Sequence, residues 1–355
     1  MKHLKIFDVS TFIKNTFTLL FPSTIRSYVF AILVFLPSIF IFAQSPSVYG
    51  DQPLAHTYSI VAYDAETGDI GVAVQSHWFS VGSLVIWGEA GVGVIATQSF
   101  VNPAFGPEGL ALLKKGLSAQ QVANQLLATD EGRDFRQLGI VDAKGNATAY
   151  TGKLCIEATG HLIGDGYAVQ ANMMLNNRVW PAMAQAFEKS AGQPLAERLL
   201  IALEAAQAKG GDIRGQQSAA LLVVSGQNTG QPWIDRKVDL RVDDHTQPIA
   251  ELKRLLKTHR AYEHMNRGDL ALEKGDTPKA LEEYLRASKM FPENEEMKFW
   301  RAVNLANLER ISEALPLFRE IFQQNNNWRI LTERLVKPGL LTVSESDLKK
   351  ILNIK

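Results

Sequence analysis

From residue 57 to residue 75, apolar positions recur every second residue on either side of a polar break. The run Tyr58-Ser59-Ile60-Val61-Ala62-Tyr63 precedes Asp64-Ala65-Glu66-Thr67-Gly68-Asp69, and a second β-rich run covers residues 70–75. Period-two runs around a Gly/Asp turn predict a β-hairpin. A third strand is expected over 92–97. It leads into the polar loop Gln98-Ser99-Phe100-Val101-Asn102-Pro103, and buried strands that deliver polar loops are where sites tend to lie.

Helical spacing follows over 109–115 and 119–128, with Ser118 placed as an N-cap for the second helix. Residues 136–142 and 147–151 form a second hairpin pattern around Lys144-Gly145-Asn146, and a strand is expected over 166–172. Helices over 180–191 and 195–209 come next, the latter stopped by Gly210-Gly211. Residues 217–225 are apolar enough for a strand buried on both faces, and 237–242 alternate like a half-covered one. Runs of strands and helices segregated in this way predict an α+β fold, with helices layered on stacked antiparallel sheets. A Gly-rich phosphate loop, zinc-ligand spacing and a nucleophile elbow do not occur.

Beyond residue 248 the pattern becomes almost wholly helical. Ala280 and Ala314 stand 34 residues apart, as do Leu281 and Leu315. One unit carries Gly268, Ala271, Gly275, Ala280, Tyr284, Ala287 and Phe291-Pro292; the next carries Trp300, Ala302, Leu305, Ala306, Ala314 and Phe318. Small residues at helix crossings with this period match a tetratricopeptide-type helical pair. Two units are fewer than the roughly three that stand alone, so these helices are expected to dock on the first domain or on a partner. They read either as a groove for a peptide or glycan such as peptidoglycan, or as a stabilising appendage.

Lys+Arg and Asp+Glu balance at 37 each, so no basic field points to nucleic acid. The single Cys155 excludes an intrachain disulfide and fits a small core residue. Near the N-terminus Lys2, Lys5, Lys14 and Arg26 precede an apolar run over 28–43 that contains Pro37. That run is short for a bilayer span of about 20 residues and matches a secretory signal cut after Ala43; an uncleaved anchor is the alternative. Removing residues 1–43 leaves 33 bases against 36 acids. If the signal is cut, the mature chain is mildly acidic and is expected to be extracytoplasmic (periplasmic or secreted) with no stable membrane anchor. The expected organisation is a signal peptide (1–43), a linker or pro-segment (44–56), the layered domain (57–246) and the helical domain (247–355).

A threonine that opens a central strand is a nucleophile when the peptide bond before it is cut, because its own α-amine then serves as base. Thr57 has that position; the alternative is an ordinary β-branched strand residue. The stretches TYSIVAYDAETGDIGVAVQSHWFSVG, WGEAGVGVIATQSFVNPAFGPEGL, RQLGIVD, GYAVQANMM, GGDIRGQQSAALLVV and VDLRVDDHTQPIAEL resemble the family called domain of unknown function 1028, from Thr57 to about His259. The resemblance implies a four-layer αββα sandwich of the N-terminal-nucleophile (Ntn) hydrolase kind, with a C-terminal extension of the sort described as peptidoglycan-binding. It also aligns Thr57 with the position where Ntn enzymes hold their nucleophile. Residues 44–56 depart from relatives that begin near this threonine, so a cut between His56 and Thr57 is required. Proteasome-like members of the fold use a lysine near the nucleophile, yet the chain has no Lys or Arg between Arg26 and Lys114.

On this reading Thr57 attacks an amide carbon. The main-chain N–H groups near Gly91 and Gly93, or the amides of Asn102 and Asn172, are candidate oxyanion donors. Asp212 and Arg214 supply an orienting carboxylate and the missing cation, while Ser59, Ser76, His77 and Gln98 are candidate substrate contacts. Each also has a structural explanation as a turn cap, a surface pair or a core hydrogen-bond partner. Asp243-Asp244-His245 fits a turn better than a metal site, and neither a metal nor a cofactor is expected. A non-catalytic envelope protein on the same scaffold is the competing function.

Overall fold

The computed structural model describes residues 54–355; the expected signal segment and residues 44–53 lie outside the described residues. Eleven strands are described: β1 (Leu54–Ala55), β2 (Thr57–Tyr63), β3 (Ile70–Ser76), β4 (Ile86–Glu89), β5 (Gly93–Phe100), β6 (Arg136–Asp142), β7 (Ala147–Thr151), β8 (Gly160–Gly164), β9 (Tyr167–Ala171), β10 (Ser218–Val224) and β11 (Arg236–Val242). One sheet runs β11-β10-β3-β2-β9-β8, and the other runs β1-β5-β6-β7 with β4 also on β5. The hairpin expected around residues 64–69 is present, with Thr57 opposite Ser76 and Tyr63 opposite Ile70. Because β6 takes one edge of β5, β4 and β1 share the other: β4 covers residues 93–96, and β1 covers only Ser99 and Phe100.

Period-two alternation sorts the side chains into layers. In β2, Tyr58, Ile60 and Ala62 face a cluster with α3 (Val179–Lys189) and α4 (Leu195–Ala208), including Met183, Phe187, Leu199 and Leu203. Val61, Val72, Val74, Val94, Ala96, Val141 and Leu222 meet between the two sheets. On the far side of the second sheet, Ile95, Leu138 and Ile140 pack against α1 (Phe105–Lys114) and α2 (Ala119–Thr129). The order of layers is therefore helix, sheet, sheet, helix: a four-layer αββα sandwich in the α+β class.

The first helix begins at Phe105, four residues earlier than its apolar spacing suggests, with Gly106 and Pro107 in its first turn. Proline is tolerated there because that N–H has no intrahelical partner anyway. Gly106 is needed for another reason: a Cβ would meet the Trp87 ring at 2.2 Å. Ser118 caps α2 as expected, in a reciprocal capping box with Gln121.

After the short helix α5 (Pro232–Asp235), α6 (Pro248–Glu273) serves two cores. Ile249, Leu252 and Leu256 belong to the sandwich cluster, whereas Ala261, Met265 and Ala271 pack with Ala280, Tyr284 and Ala287 of α7 (Thr277–Met290). The helical region is thus continuous with the sandwich through one rigid element, and Arg260 ties the middle of that helix to Glu197 of α4 with bonds of 2.8 Å from Nε and Nη2. A further cluster gathers α8 (Glu295–Asn307), α9 (Ile311–Gln324), α10 (Asn327–Arg334) and α11 (Glu345–Leu352) around Phe299, Ala302, Ala306, Ala314 and Phe318. Among the described residues no helix is long and apolar enough to cross a membrane.

The small residues spaced through the helical sequence are where helices approach most closely. A Cβ at Gly268 would lie 2.5 Å from the Tyr284 ring. Overpacking of this kind costs about 1–3 kcal/mol, so Gly268→Leu is expected to lower the thermal midpoint of the helical region by several degrees. Calorimetry measures it, and an unchanged midpoint would contradict this packing.

Candidate functional site

The space between the sheets changes character along its length. At one end it is filled by Val61, Val72, Val74 and Val94. At the other end the same alternating positions are Thr57, Ser59, Ser76, Gln98, Gln137, Gln170 and Asn172, all fully buried. Buried polar groups require partners, and most of these find them within the layer or on nearby main-chain carbonyls, while Gln170 Oε1 has no hydrogen-bond partner among the described residues. Ser59 Oγ donates to Gln98 Oε1 at 2.6 Å and accepts from Gln170 Nε2 at 2.7 Å. Gln98 Nε2 and Asn172 Nδ2 both donate to Gln137 Oε1, at 2.7 and 2.9 Å. A Cβ at residue 139 would strike the Gln170 amide at 2.5 Å, so Gly139 makes room for this layer.

The network ends on Thr57. Its carbonyl accepts from the Asn172 main-chain N–H and from Gln98 Nε2, each at 3.1 Å, and from Asn172 Nδ2 at 3.4 Å. Three donors fix the residue independently of the chain that precedes it. The hydroxyl donates to the Ala55 carbonyl at 2.6 Å. Thr57 is fully buried and its backbone runs on through His56 into β1. Its nitrogen is therefore an amide in this state and cannot act as a base.

The bond before it is held with equal care. The His56 carbonyl oxygen accepts from Ser76 Oγ at 2.6 Å and from Arg214 Nη2 at 2.9 Å. Arg214 in turn rests on Asp212, with Nε to Oδ1 at 3.0 Å and Nη2 to Oδ2 at 2.7 Å, and Asp212 also accepts the His77 N–H at 3.2 Å. A guanidinium clamped on a buried carboxylate keeps one geometry. The loop that carries the pair follows Gly210 and Gly211, both at positive φ, where glycine is the residue of low steric cost.

The His56 ring donates from Nδ1 to Asn172 Oδ1 at 2.9 Å and stands edge-on to Phe100, with centroids 5.4 Å apart. Burial holds the imidazole pKa below the usual 6.5, Arg214 adding to the lowering while the Asn172 bond and Asp212 oppose it. A depressed base takes up its proton more readily once released, so docking of residues 54–56 is complete above about pH 6.5 and weakens as the pH falls through and below that value. Hydrogen exchange of these amides, corrected for intrinsic rates, is expected to accelerate from pH 7 to pH 5; constant protection would contradict the assignment.

Of the residues expected from sequence, the structure brings together Thr57, Asn172, Asp212, Arg214, Ser76, His77 and Gln98. Ser59 lies one pair deeper, enclosed by Gln98 and Gln170 rather than facing a substrate. Asn102 lies outside these contacts: its Oδ1 accepts from the Ala104 N–H at 3.2 Å as the chain enters α1, and its carbonyl accepts from Thr97. Gly91 and Gly93 also do not converge on Thr57. Gly93 begins β5 and Ser99 is near its end, six residues or roughly 20 Å along the strand. Asp243 and Asp244 accept from Ser80 and Gln217, and the His245 ring accepts from the Gln247 N–H, which makes the trio a turn. Burial pushes the Cys155 thiol up, away from thiolate chemistry.

Sequence reasoning missed His56, which falls in a stretch with no pattern, and the glutamines Gln137 and Gln170. A signal for the glutamines exists. Each is a polar residue at an inward position of a strand whose neighbours are apolar, and burial on both faces makes that costly unless the group is paired.

Fold and site together define the class: a four-layer αββα sandwich with a threonine opening the central strand at the polar end of its inter-sheet layer. The chain belongs to the family of unknown function DUF1028, whose model matches residues 57–252. The crystal structure of protein SPO2555 from Silicibacter pomeroyi, of the same family, is similar at 34% identity and a TM-score of 0.52, over 57% of this chain and 85% of that one. Anbu, the ancestral β-subunit from Yersinia bercovieri, aligns at 13% identity and a TM-score of 0.30, over 56% of this chain and 92% of its own. No protein of curated function matches the chain in sequence.

Proposed function

We infer that this fold is the uncut precursor of an Ntn-type amidohydrolase with Thr57 as nucleophile. The observation that carries the reading is the His56 carbonyl, whose oxygen lies between the Ser76 hydroxyl and the Arg214 guanidinium. Two donors on one carbonyl oxygen stabilise the charge that develops there when its carbon is attacked. The Thr57 oxygen adds to that carbon, the carbon–nitrogen bond breaks, and the hydroxyl proton goes to the departing nitrogen. Water then hydrolyses the resulting ester, leaving a His56 carboxylate and a free Thr57 amine. The amine serves as base for the same hydroxyl on an external amide, with Ser76 and Arg214 again facing the carbonyl oxygen. No cofactor takes part in this scheme.

On the same reading the chain acts outside the cytoplasm once its targeting segment is removed. The helices from residue 247 onward then form a tetratricopeptide-like module for a peptide or peptidoglycan. The competing reading, a non-catalytic envelope binder, is favoured by one observation: Thr57 is fully buried. A panel of acyl-amide and peptide substrates, assayed with the full chain against its Thr57→Ala variant, separates the two. Hydrolysis above the variant supports the enzyme; equal rates on every substrate support the binder.

A further inference from the structure

We propose that the segment Leu54–His56 marks the seat of the substrate's acyl half, and that the substrate is an extended peptide added as a strand to β5. The inference rests on the reading of Thr57 as the reacting residue and names the substrate class for that site.

The edge of β5 is the basis. Residues 93–96 of that edge are taken by β4, while among the described residues Ser99 and Phe100 pair along it with the two residues of β1, antiparallel, with Leu54 opposite Phe100 and Ala55 opposite Ser99. When the 56–57 bond is cut, residues 54–56 are no longer joined to Thr57, and among the described residues only non-covalent contacts hold them: two strand pairs, the Thr57 hydroxyl on the Ala55 carbonyl, and the hydrogen bonds and ring contact of His56. Their departure opens a short strand edge, and open edges accept extended peptides in antiparallel register.

The groups left at the inner end of this edge set the rest of the specificity. Ser76 Oγ and Arg214 Nη2 lose the His56 carbonyl and face the carbonyl of whatever replaces it. Asn172 Oδ1 and the Phe100 ring lose the imidazole. The residue preceding the scissile bond therefore sits where a flat side chain with a hydrogen-bond donor fits, histidine foremost. The residue before it takes the place of Ala55, which is fully buried, and so must be small. A product with a free carboxylate would place its charge against Arg214, an interaction a neutral amide lacks.

The test is calorimetric titration of the full chain cut between residues 56 and 57. The cut is made by the chain itself or, if it does not cut itself, by a site-specific protease whose recognition sequence replaces residues 52–56. The probe is acetyl-Leu-Ala-His with a free carboxylate. Binding is expected, at least tenfold weaker for the same peptide N-methylated at its leucine and alanine, and at least tenfold weaker for acetyl-Leu-Arg-His. Equal affinity for all three peptides, or no binding up to millimolar peptide, would overturn the proposal. Binding is read in the Thr57→Ala chain, cut by the protease, as well as in the wild type. Selective binding without hydrolysis thus removes the enzyme reading and leaves the strand seat standing. Hydrolysis of non-peptide amides without peptide binding does the reverse.

Discussion

Thr57→Ala is expected to leave the chain folded and uncut, with amide hydrolysis reduced by about 10⁴-fold or more. The size follows from losing the group that makes the covalent bond, as in other enzymes whose nucleophile is removed. The structural cost is small by comparison. The Thr57 side chain makes one hydrogen bond, to Ala55, worth about 1 kcal/mol, while its main-chain bonds to Asn172 and Gln98 survive the substitution. Thr57→Ser keeps a hydroxyl and is expected to keep cutting. Intact mass after incubation, together with a thermal midpoint, checks both variants. A Thr57→Ala chain that is still cut before residue 57 would assign the cleavage to another group.

Asp212→Ala carries the largest expected stability loss. The Asp212 side chain is fully buried, and it holds the Arg214 guanidinium and the His77 N–H. Removing it leaves Arg214 without its counter-ion at a site where that side chain is 27% exposed. Breaking a fully buried pair from one side costs about 3–5 kcal/mol; the partial exposure of Arg214 reduces this to about 2–3 kcal/mol. The His56 carbonyl loses its oriented donor at the same time, so cleavage before Thr57 slows together with the fall in stability. Denaturant unfolding measures the first effect. Asp212→Asn, which keeps an acceptor for His77, is expected to recover part of the stability but not the cutting rate.

Much of the sandwich was legible in the sequence because a strand buried on both faces reads as a compact apolar run bounded by turn residues. Residues 58–63 before the 64–69 turn are such a case, and residues 217–225 are another. The strands that went unread are short or lie at edges. β1 has two residues, β8 exposes Leu162 and Ile163, and β4 ends beside the glycines of residues 88–93. Pairing with a neighbour defines these strands, and a single sequence carries no record of that. The helix at Phe105 started early for a related reason: Gly106 suits the Trp87 ring it touches rather than helix propensity.

The site was legible in its composition more than in its geometry. Asp212 and Arg214 stood out as the charged pair of a glycine-rich turn, and Asn172 as the polar end of a buried strand. Asn102 had the same chemistry, but its carbonyl oxygen Oδ1 turns a loop into a helix, a role that sequence cannot tell from a catalytic one. His56 was invisible because its importance comes from the bond it precedes. The carbonyl that Ser76 and Arg214 hold belongs to the backbone, which has no sequence signature.

The most direct measurement is the intact mass of the purified full chain followed over time at several protein concentrations. The account predicts a fragment beginning at Thr57, formed at a first-order rate independent of concentration and absent in Thr57→Ala. A stable, active chain whose N-terminus stays upstream of His56 would contradict it.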